Sequence, residues 1–116
     1  MATYFHTTNA AQAILTEGFR DAEGTYMLVG ITLRGVFIAD VPLDVNEGAK
    51  GEDVLAIALP DDADLDDYEI ADEMGTYREW CVPAELINSR GTIRLLSPEE
   101  SEQASAAWRE ARHDLL

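Results

Sequence analysis

The sequence predicts an α+β fold in which a small, split and bent, mostly antiparallel sheet is combined with a few short helices. Three observations lead to this prediction. Short β-rich runs outnumber the helical segments, turn residues separate the runs, and the length of 116 residues is that of one domain. The hydrophobic content of 47% is enough for one core but not for two. We therefore expect residues 1–116 to form a single domain.

Seven β-rich runs predict the strands. The runs are short, and Gly, Pro, Asn or Asp residues stand between most of them. Pro60 stops the fourth run, and Gly30 within the second is typical of a bulge. The predicted strands are residues 3–7, 26–31, 35–40, 54–59, 68–70, 76–82 and 92–96, and the predicted loops include residues 20–24 and 42–53.

The first predicted helix is defined by signals at both of its ends. Thr8 or Asn9 caps a helix over residues 10–17, because a short polar side chain can accept a hydrogen bond from the first free amides. Gly18 is a fitting residue for the end of that helix. Phe19 is then expected to fold back onto the helix end.

Two further helical segments are predicted in the second half of the chain. Pro83 opens a helical turn over residues 84–88. The C-terminal helix covers residues 97–115, where Ser97 and Glu100 form a capping box. One face of this helix is apolar and consists of Ala104, Ala107, Trp108, Ala111 and Leu115.

The charge balance restricts the classes of function. The chain has 23 acidic and 8 basic residues, which gives a net charge of −15. Such a protein repels phosphates, which argues against a nucleic-acid binder, and it suits a basic partner. The sequence contains no run of 18 apolar residues, so we expect no membrane span. The single cysteine, Cys81, is expected to be a buried thiol. The lone cysteine and the lack of a signal-peptide pattern at the start together indicate a cytoplasmic protein.

The most acidic segment, residues 61–73, contains eight acids and no base. A solvated loop is the expected structure. A calcium site is the alternative, but the run DDADLDD lacks the glycine and the distant bidentate glutamate of an EF-hand loop.

Few residues carry recognisable chemistry on their own. His6 has no second histidine within metal-binding spacing, so we expect no zinc or other metal site. The sequence contains neither a nucleophilic-serine motif nor a glycine-rich phosphate cradle. Glu79 stands out, because Tyr77 and Cys81 share its face of the predicted strand and indicate that this face is partly buried.

Four short motifs occur in a characteristic order. His6-Thr7-Thr8 is followed by ILTEGF at residues 14–19, by GVFIAD at residues 35–40, and by REWCV at residues 78–82. Over residues 4–96 this series resembles the ADP-ribosyltransferase fold, in the branch that includes poly-ADP-ribose polymerases and diphtheria toxin. The RNA 2′-phosphotransferases share much of the first half.

The resemblance implies a role for several residues around NAD. His6 would hydrogen-bond the nicotinamide ribose, and Thr8 would contact the same ribose or the carboxamide. Thr7 stands where most members have glycine, and its backbone could still bond the carboxamide, although its Cβ could crowd the nicotinamide ring. Phe37 stands where the family has a tyrosine that stacks on nicotinamide, and here the stacking survives while the hydroxyl is lost.

The resemblance also implies how the chemistry would proceed. Glu79 would match the catalytic glutamate, which bonds the ribose 2′-hydroxyl and stabilises the oxocarbenium-like charge as nicotinamide leaves. Arg20 and Arg34 are the nearest candidates for the pyrophosphate, on charge and position alone.

The expected function is therefore an NAD-binding mono-ADP-ribosyltransferase or NAD-cleaving enzyme, with NAD as its substrate. The acceptor is unidentified, and a basic protein is one candidate. The first alternative is a non-enzymatic acidic binding module of the immunity-protein or antitoxin kind, in which residues 61–73 hold a basic partner. The second alternative, RNA 2′-phosphotransfer, needs basic residues beside His6, and the chain supplies few.

Overall fold

The computed structural model describes residues 1–26, 31–42, 52–70 and 77–113. The α+β prediction is confirmed, because this part of the chain contains seven strands and three α-helices. The strands are β1 (Ala2–Thr8), β2 (Ala22–Tyr26), β3 (Ile31–Ala39), β4 (Asp53–Leu59), β5 (Glu69–Ile70), β6 (Glu79–Val82) and β7 (Thr92–Leu95). The helices are α1 (Ala11–Glu17), α2 (Ala84–Arg90) and α3 (Pro98–His113), and Asp66–Tyr68 forms a 3₁₀ turn.

The strands form one antiparallel sheet in the order β5-β6-β3-β1-β4-β7, and β2 pairs with the first half of β3. The two central strands, β1 and β3, are joined at one residue pair, Phe5 opposite Ala39. By contrast, β1 pairs with β4 from Ala2 to Thr8. The sheet is therefore open between β1 and β3 beyond Phe5, and we call this opening the seam.

The main core lies between one face of the sheet and the helices α1 and α2. Trp80 and Val82 alternate with more exposed residues on β6, as expected of a strand with one buried face. Buried side chains of this kind each stabilise the fold by about 1.5–3 kcal/mol. The main core includes Val36, Ile38, Leu55, Ile57 and Leu59 of the sheet, and Ala11, Ala84 and Ile87 of the helices.

A smaller core lies on the opposite face of the sheet. It consists of Val54, Ala56 and Leu96, with Phe5 packed against it. Phe5 is paired with both Ala39 and Ala56, so this face is continuous across the joined end of the seam.

The C-terminal end of α1 and the start of α3 follow the local signals in the sequence. Gly18 ends α1 with a φ of 87°, a conformation that favours glycine. The predicted capping box is present, because the Ser97 amide donates to Glu100 Oε1 and the Glu100 amide donates to Ser97 Oγ. The predicted cap of α1 at Thr8 or Asn9 is wrong, because Ala10 is the capping residue and provides no side-chain cap; the Ala10 amide, before the helix, donates to Thr8 Oγ1.

Several element boundaries differ from the prediction. Residues 22–26 form β2 and not a loop, because the first half of β3 supplies their hydrogen-bond partners. For the same reason β3 begins at Ile31, before the predicted residue 35. The helix α2 extends to Arg90, where the Gly91 amide donates to the Ile87 carbonyl and ends it.

Parts of the predictions lie outside the described residues. They include most of the predicted strand 26–31 with its bulge at Gly30, most of the loop 42–53, the end of the acidic segment and the start of the strand 76–82. On α3, Ala104 and Trp108 are half-buried and Ala107 is exposed. Among the helices of the described ranges, none is long and apolar enough to cross a membrane.

Candidate functional site

A pocket of about 280 Å³ lies beside the seam. Its walls are one side of α1, the loop after α1, the start of β2, and residues 35–37 of β3, with His6 from β1. Most of these residues are apolar or glycine, and the charged members are Glu17 and Arg20. The volume is close to the lower end of the range for small-molecule pockets, roughly 300–1,000 Å³.

His6 is fixed in one tautomer within this pocket. Its Nδ1 lies 2.7 Å from the Phe37 carbonyl oxygen, across the seam. Because a carbonyl only accepts, Nδ1 carries the proton and donates, and in the neutral ring Nε2 is then an acceptor. Burial lowers the pKa of His6 below its ordinary value, and the bond to the Phe37 carbonyl opposes this in part. The neutral ring therefore presents one hydrogen-bond acceptor at a mainly apolar wall.

The ring of Phe19 supports the His6 imidazole. The two rings meet edge to face with their centroids 5.2 Å apart, and Phe19 is buried. Phe19 also belongs to the buried cluster of the main core that includes Ala11 of α1. It also fixes the second side of the imidazole, since Nδ1 is already bonded to Phe37.

The loop that carries Phe19 is attached to α2 by two side chains that the sequence reasoning missed. Asn88 Oδ1 accepts from the Phe19 amide at 2.8 Å, and Asn88 Nδ2 donates to the Phe19 carbonyl at 2.9 Å. Asp21 Oδ1 accepts from the Ala84 amide at 2.8 Å and so caps α2. One signal was available, because Pro83 at the capping position has no side-chain acceptor and a distant residue has to replace it.

Gly35 allows β6 to approach the pocket closely. A Cβ at this position would lie 2.9 Å from both Cys81 Sγ and the Val82 carbonyl oxygen. The side chain of Cys81 therefore occupies the space that glycine leaves open. The thiol is half-buried rather than fully buried as expected. Burial raises its pKa, with smaller contributions from the Asp21 and Glu79 carboxylates, so it remains a thiol.

Glu79 lies outside the lining of this pocket. It is half-buried and alternates on β6 with Trp80, which belongs to the main core. Glu79 is paired with Ala39, and Ala39 with Phe5, so its side chain is on the face of the smaller core. His6 is paired with Leu55 of the main core. The register therefore directs the His6 and Glu79 side chains to opposite faces of the sheet. Their backbones are about two strand spacings apart, or roughly 10 Å.

Phe37 contributes to the pocket through its backbone. It is paired with Cys81 and alternates with the buried Val36 and Ile38, so its ring is directed to the same face as Glu79. Phe37 is one of the lining residues and its carbonyl orients His6, whereas the stacking of its ring on a ligand stays a prediction.

The other predicted contacts are distributed around the pocket. Arg20 lines it, but the exposed guanidinium forms an ion pair with Glu17 at 3.3 Å. Arg34 is exposed, and Glu23 is opposite it on β2. A carboxylate thus accompanies each arginine and reduces the attraction for a pyrophosphate.

Thr7 and Thr8 lie at the end of β1 and are not among the lining residues. Thr8 is buried and accepts the Ala10 amide, so its hydroxyl serves the start of α1. The structure thus brings His6, Arg20 and the Phe37 backbone to one pocket, and it places Glu79, Thr7, Thr8 and Arg34 elsewhere.

The carboxylates of the acidic segment are exposed over its described residues 61–70, but the segment is not only a solvated loop, because Leu65 is buried in the main core and Glu69–Ile70 forms β5. Three of its carboxylates form ion pairs: Asp61 with the N-terminal amine, Asp62 with Arg90, and Glu69 with Arg78. No group of three or more His, Cys, Asp or Glu residues suited to a metal occurs in the described ranges. The calcium alternative therefore receives no support from residues 61–70.

No protein-family model, no curated protein and no solved structure matches the chain. The functional conclusion therefore depends on the pocket at His6 and on the sequence resemblance alone.

Proposed function

We propose that this chain binds NAD with the nicotinamide ribose in the pocket next to His6, and that it cleaves the bond between nicotinamide and ribose. The ADP-ribose would be transferred to an acceptor side chain or to water. The observation that carries the proposal is the fixed tautomer of His6, whose Nε2 would accept from a ligand hydroxyl while Nδ1 is held by Phe37. The resemblance to the ADP-ribosyltransferases implies the same role for this histidine.

The size and polarity of the pocket are consistent with part of a dinucleotide. A cavity of about 280 Å³ holds an aromatic ring or a ribose, so the rest of NAD would extend past the rim. Arg20 lies at that rim, and release from Glu17 would let it bind a phosphate. We further propose a cytoplasmic location, which agrees with a single cysteine and with NAD as the substrate.

Cleavage requires more than binding. In this proposal Glu79 stabilises the oxocarbenium-like charge, and because its side chain is on the opposite face from His6, the ligand has to extend through the seam to reach it. Gly35 of the pocket lies beside Cys81, and Glu79 is the next residue of β6 on that face. The carboxylate is therefore one same-face step, about 7 Å along the strand, beyond the edge of the pocket.

A nicotinamide-release assay tests the cleavage step. Wild-type protein should release nicotinamide from NAD, and Glu79→Gln should lower the rate by about 100-fold or more, since the variant loses the charge that faces the transition state. Glu85→Gln is the matched control, because Glu85 is an exposed carboxylate on the neighbouring helix α2. Equal rates in the two variants would refute the catalytic role of Glu79.

A second candidate function is an acidic binding module, and the exposed carboxylates of residues 61–69 favour it. In addition to the three paired carboxylates, Asp64, Asp66 and Asp67 are exposed and have no ion-pair partner among the residues that the structure describes. Calorimetric titration with a lysine-rich peptide at two salt concentrations tests this function. Asp66→Lys with Asp67→Lys should abolish binding, whereas Glu99→Lys with Glu102→Lys on α3 should have a smaller effect.

A further inference from the structure

The loop from Gly18 to Asp21 is the part of the pocket wall that depends on a distant side chain. The Asn88 carboxamide bonds both backbone groups of Phe19, as acceptor at 2.8 Å and as donor at 2.9 Å, although 69 residues separate the two positions. A carboxamide can donate and accept at the same time, which carboxylates and ammonium groups cannot do. The identity of residue 88 therefore matters as much as its position.

Gly18 is matched to this arrangement. A Cβ on Gly18 would lie 3.0 Å from Asn88 Oδ1, and the φ of 87° is unfavourable for any other residue. The absence of a side chain at residue 18 thus lets the carboxamide reach the Phe19 backbone. In turn the buried Phe19 ring packs edge-on against the His6 imidazole, with 5.2 Å between the centroids.

We propose that Asn88 is a positioning residue of the pocket, which fixes Phe19 and through it the His6 imidazole. Asn88 is not in the pocket lining, so it acts without touching a ligand. Its effect on NAD binding rests on the proposed function. Its effect on His6 exists in the unliganded protein and is tested independently.

The His6 imidazole reports on this role. Burial is the main cause of its lowered pKa, and the charged residues of the pocket wall are Glu17 and Arg20, which pair with each other. When Asn88→Ala frees the Phe19 backbone, water reaches the imidazole, and the pKa of His6 should rise toward its ordinary value. Loss of a hydrogen-bonding side chain should also weaken NAD binding by roughly fivefold, if NAD is the ligand.

The experiment is an NMR titration of the histidine Hε1 signals against pH in the unliganded protein, with His113, the second of the two histidines, as reference. Asn88→Ala should raise the pKa of His6. Ser89→Ala is the matched control on the same helix, since Ser89 Oγ bonds the Leu86 carbonyl and not the loop. A folded Asn88→Ala variant in which His6 titrates as in the wild type would overturn the proposal.

A second variant keeps the proposal testable if Asn88→Ala does not fold. Asn88→Asp retains the acceptor for the Phe19 amide but sets a carboxylate oxygen against the Phe19 carbonyl in place of the donor, so the Phe19 amide should exchange faster than in the wild type. An unchanged exchange rate of the Phe19 amide in a folded Asn88→Asp variant would contradict the proposal. If wild-type protein does not bind NAD, the proposed function fails, and the His6 titration still decides the role of Asn88.

Discussion

The proposed chemistry depends on His6 and Glu79, which lie on the two sides of β3. The surroundings of these two residues differ. On the β1 side, His6 is bonded to Phe37, supported by Phe19 and placed in a pocket. On the β6 side, Glu79 lies half-buried on a strand of four residues and outside that pocket. The binding residue is thus preorganised, whereas the residue assigned to cleavage needs a ligand that crosses the seam. Binding and cleavage are therefore separable by mutation.

The largest expected effect comes from a change that disturbs both sides together. In Gly35→Ala the new Cβ would overlap Cys81 Sγ and the Val82 carbonyl oxygen, so β3 and β6 must separate. We expect a loss of about 1–3 kcal/mol in the free energy of unfolding, measured by urea denaturation.

Two further variants locate the cause of that loss. Cys81→Ala in the Gly35→Ala background should restore only part of the stability, because the overlap with the Val82 carbonyl remains. Arg34→Ala, at the preceding exposed position, should change stability by about 0.5 kcal/mol or less. If Gly35→Ala is as stable as the wild type, the inference that β6 approaches the pocket closely at Gly35 is wrong.

The next effect concerns the attachment of the pocket loop to α2. Asp21→Ala removes the acceptor for the Ala84 amide and should cost about 1 kcal/mol, because Pro83 provides no replacement cap. Asp21→Asn keeps an oxygen in the same place and should recover most of this loss. Thermal unfolding of both variants is the measurement, and equal destabilisation by Ala and Asn would exclude a capping role.

A pH-dependent effect belongs to the His6 side alone. The pKa of His6 is lower in the folded protein than in the unfolded chain. At pH values between these two pKa values the unfolded chain binds more protons than the folded protein, so the free energy of unfolding decreases as the pH is lowered. His6→Gln should remove this contribution, which is fully present above the unfolded pKa near 6.5. The measurement is the difference in unfolding free energy between wild type and variant from pH 8 to 5. A difference that does not shrink as the pH is lowered would argue against a buried neutral imidazole.

The smallest effect is expected in the acidic surface, far from either side of the seam. The pair of Arg90 with Asp62 is exposed, so Asp62→Asn should change stability by less than about 1 kcal/mol, and less at high salt. Urea denaturation at two salt concentrations provides the check. A larger loss would mean that this ion pair, and not only the buried Leu65 of the same segment, contributes to the fold.

The predictable parts of the fold were those with local causes. The first strand, the end of α1 at Gly18 and the capping box at Ser97 all depend on residues within a few positions of one another. The strand β2 was missed, because its polar residues became a strand only through pairing with β3. Local propensity gives no information on such a partner.

The candidate site shows the same limit. His6 was identified from a motif, whereas Asn88 and Asp21 act on residues 69 and 63 positions away, and no local pattern connects them. Glu79 was correctly expected on a half-buried strand face. The sheet face to which its side chain is directed depends on the register of β6 with β3, which the sequence pattern does not determine.

The most direct test of the central claim is a titration of labelled protein with NAD, followed by NMR. The proposed function predicts shifts at His6, Phe19 and Val36, which line the pocket. These shifts should disappear in His6→Ala and persist in Glu79→Gln, because binding depends on the His6 side of β3. Shifts that are unchanged in His6→Ala, or that are confined to Glu79 and Cys81 in the wild type, would contradict it.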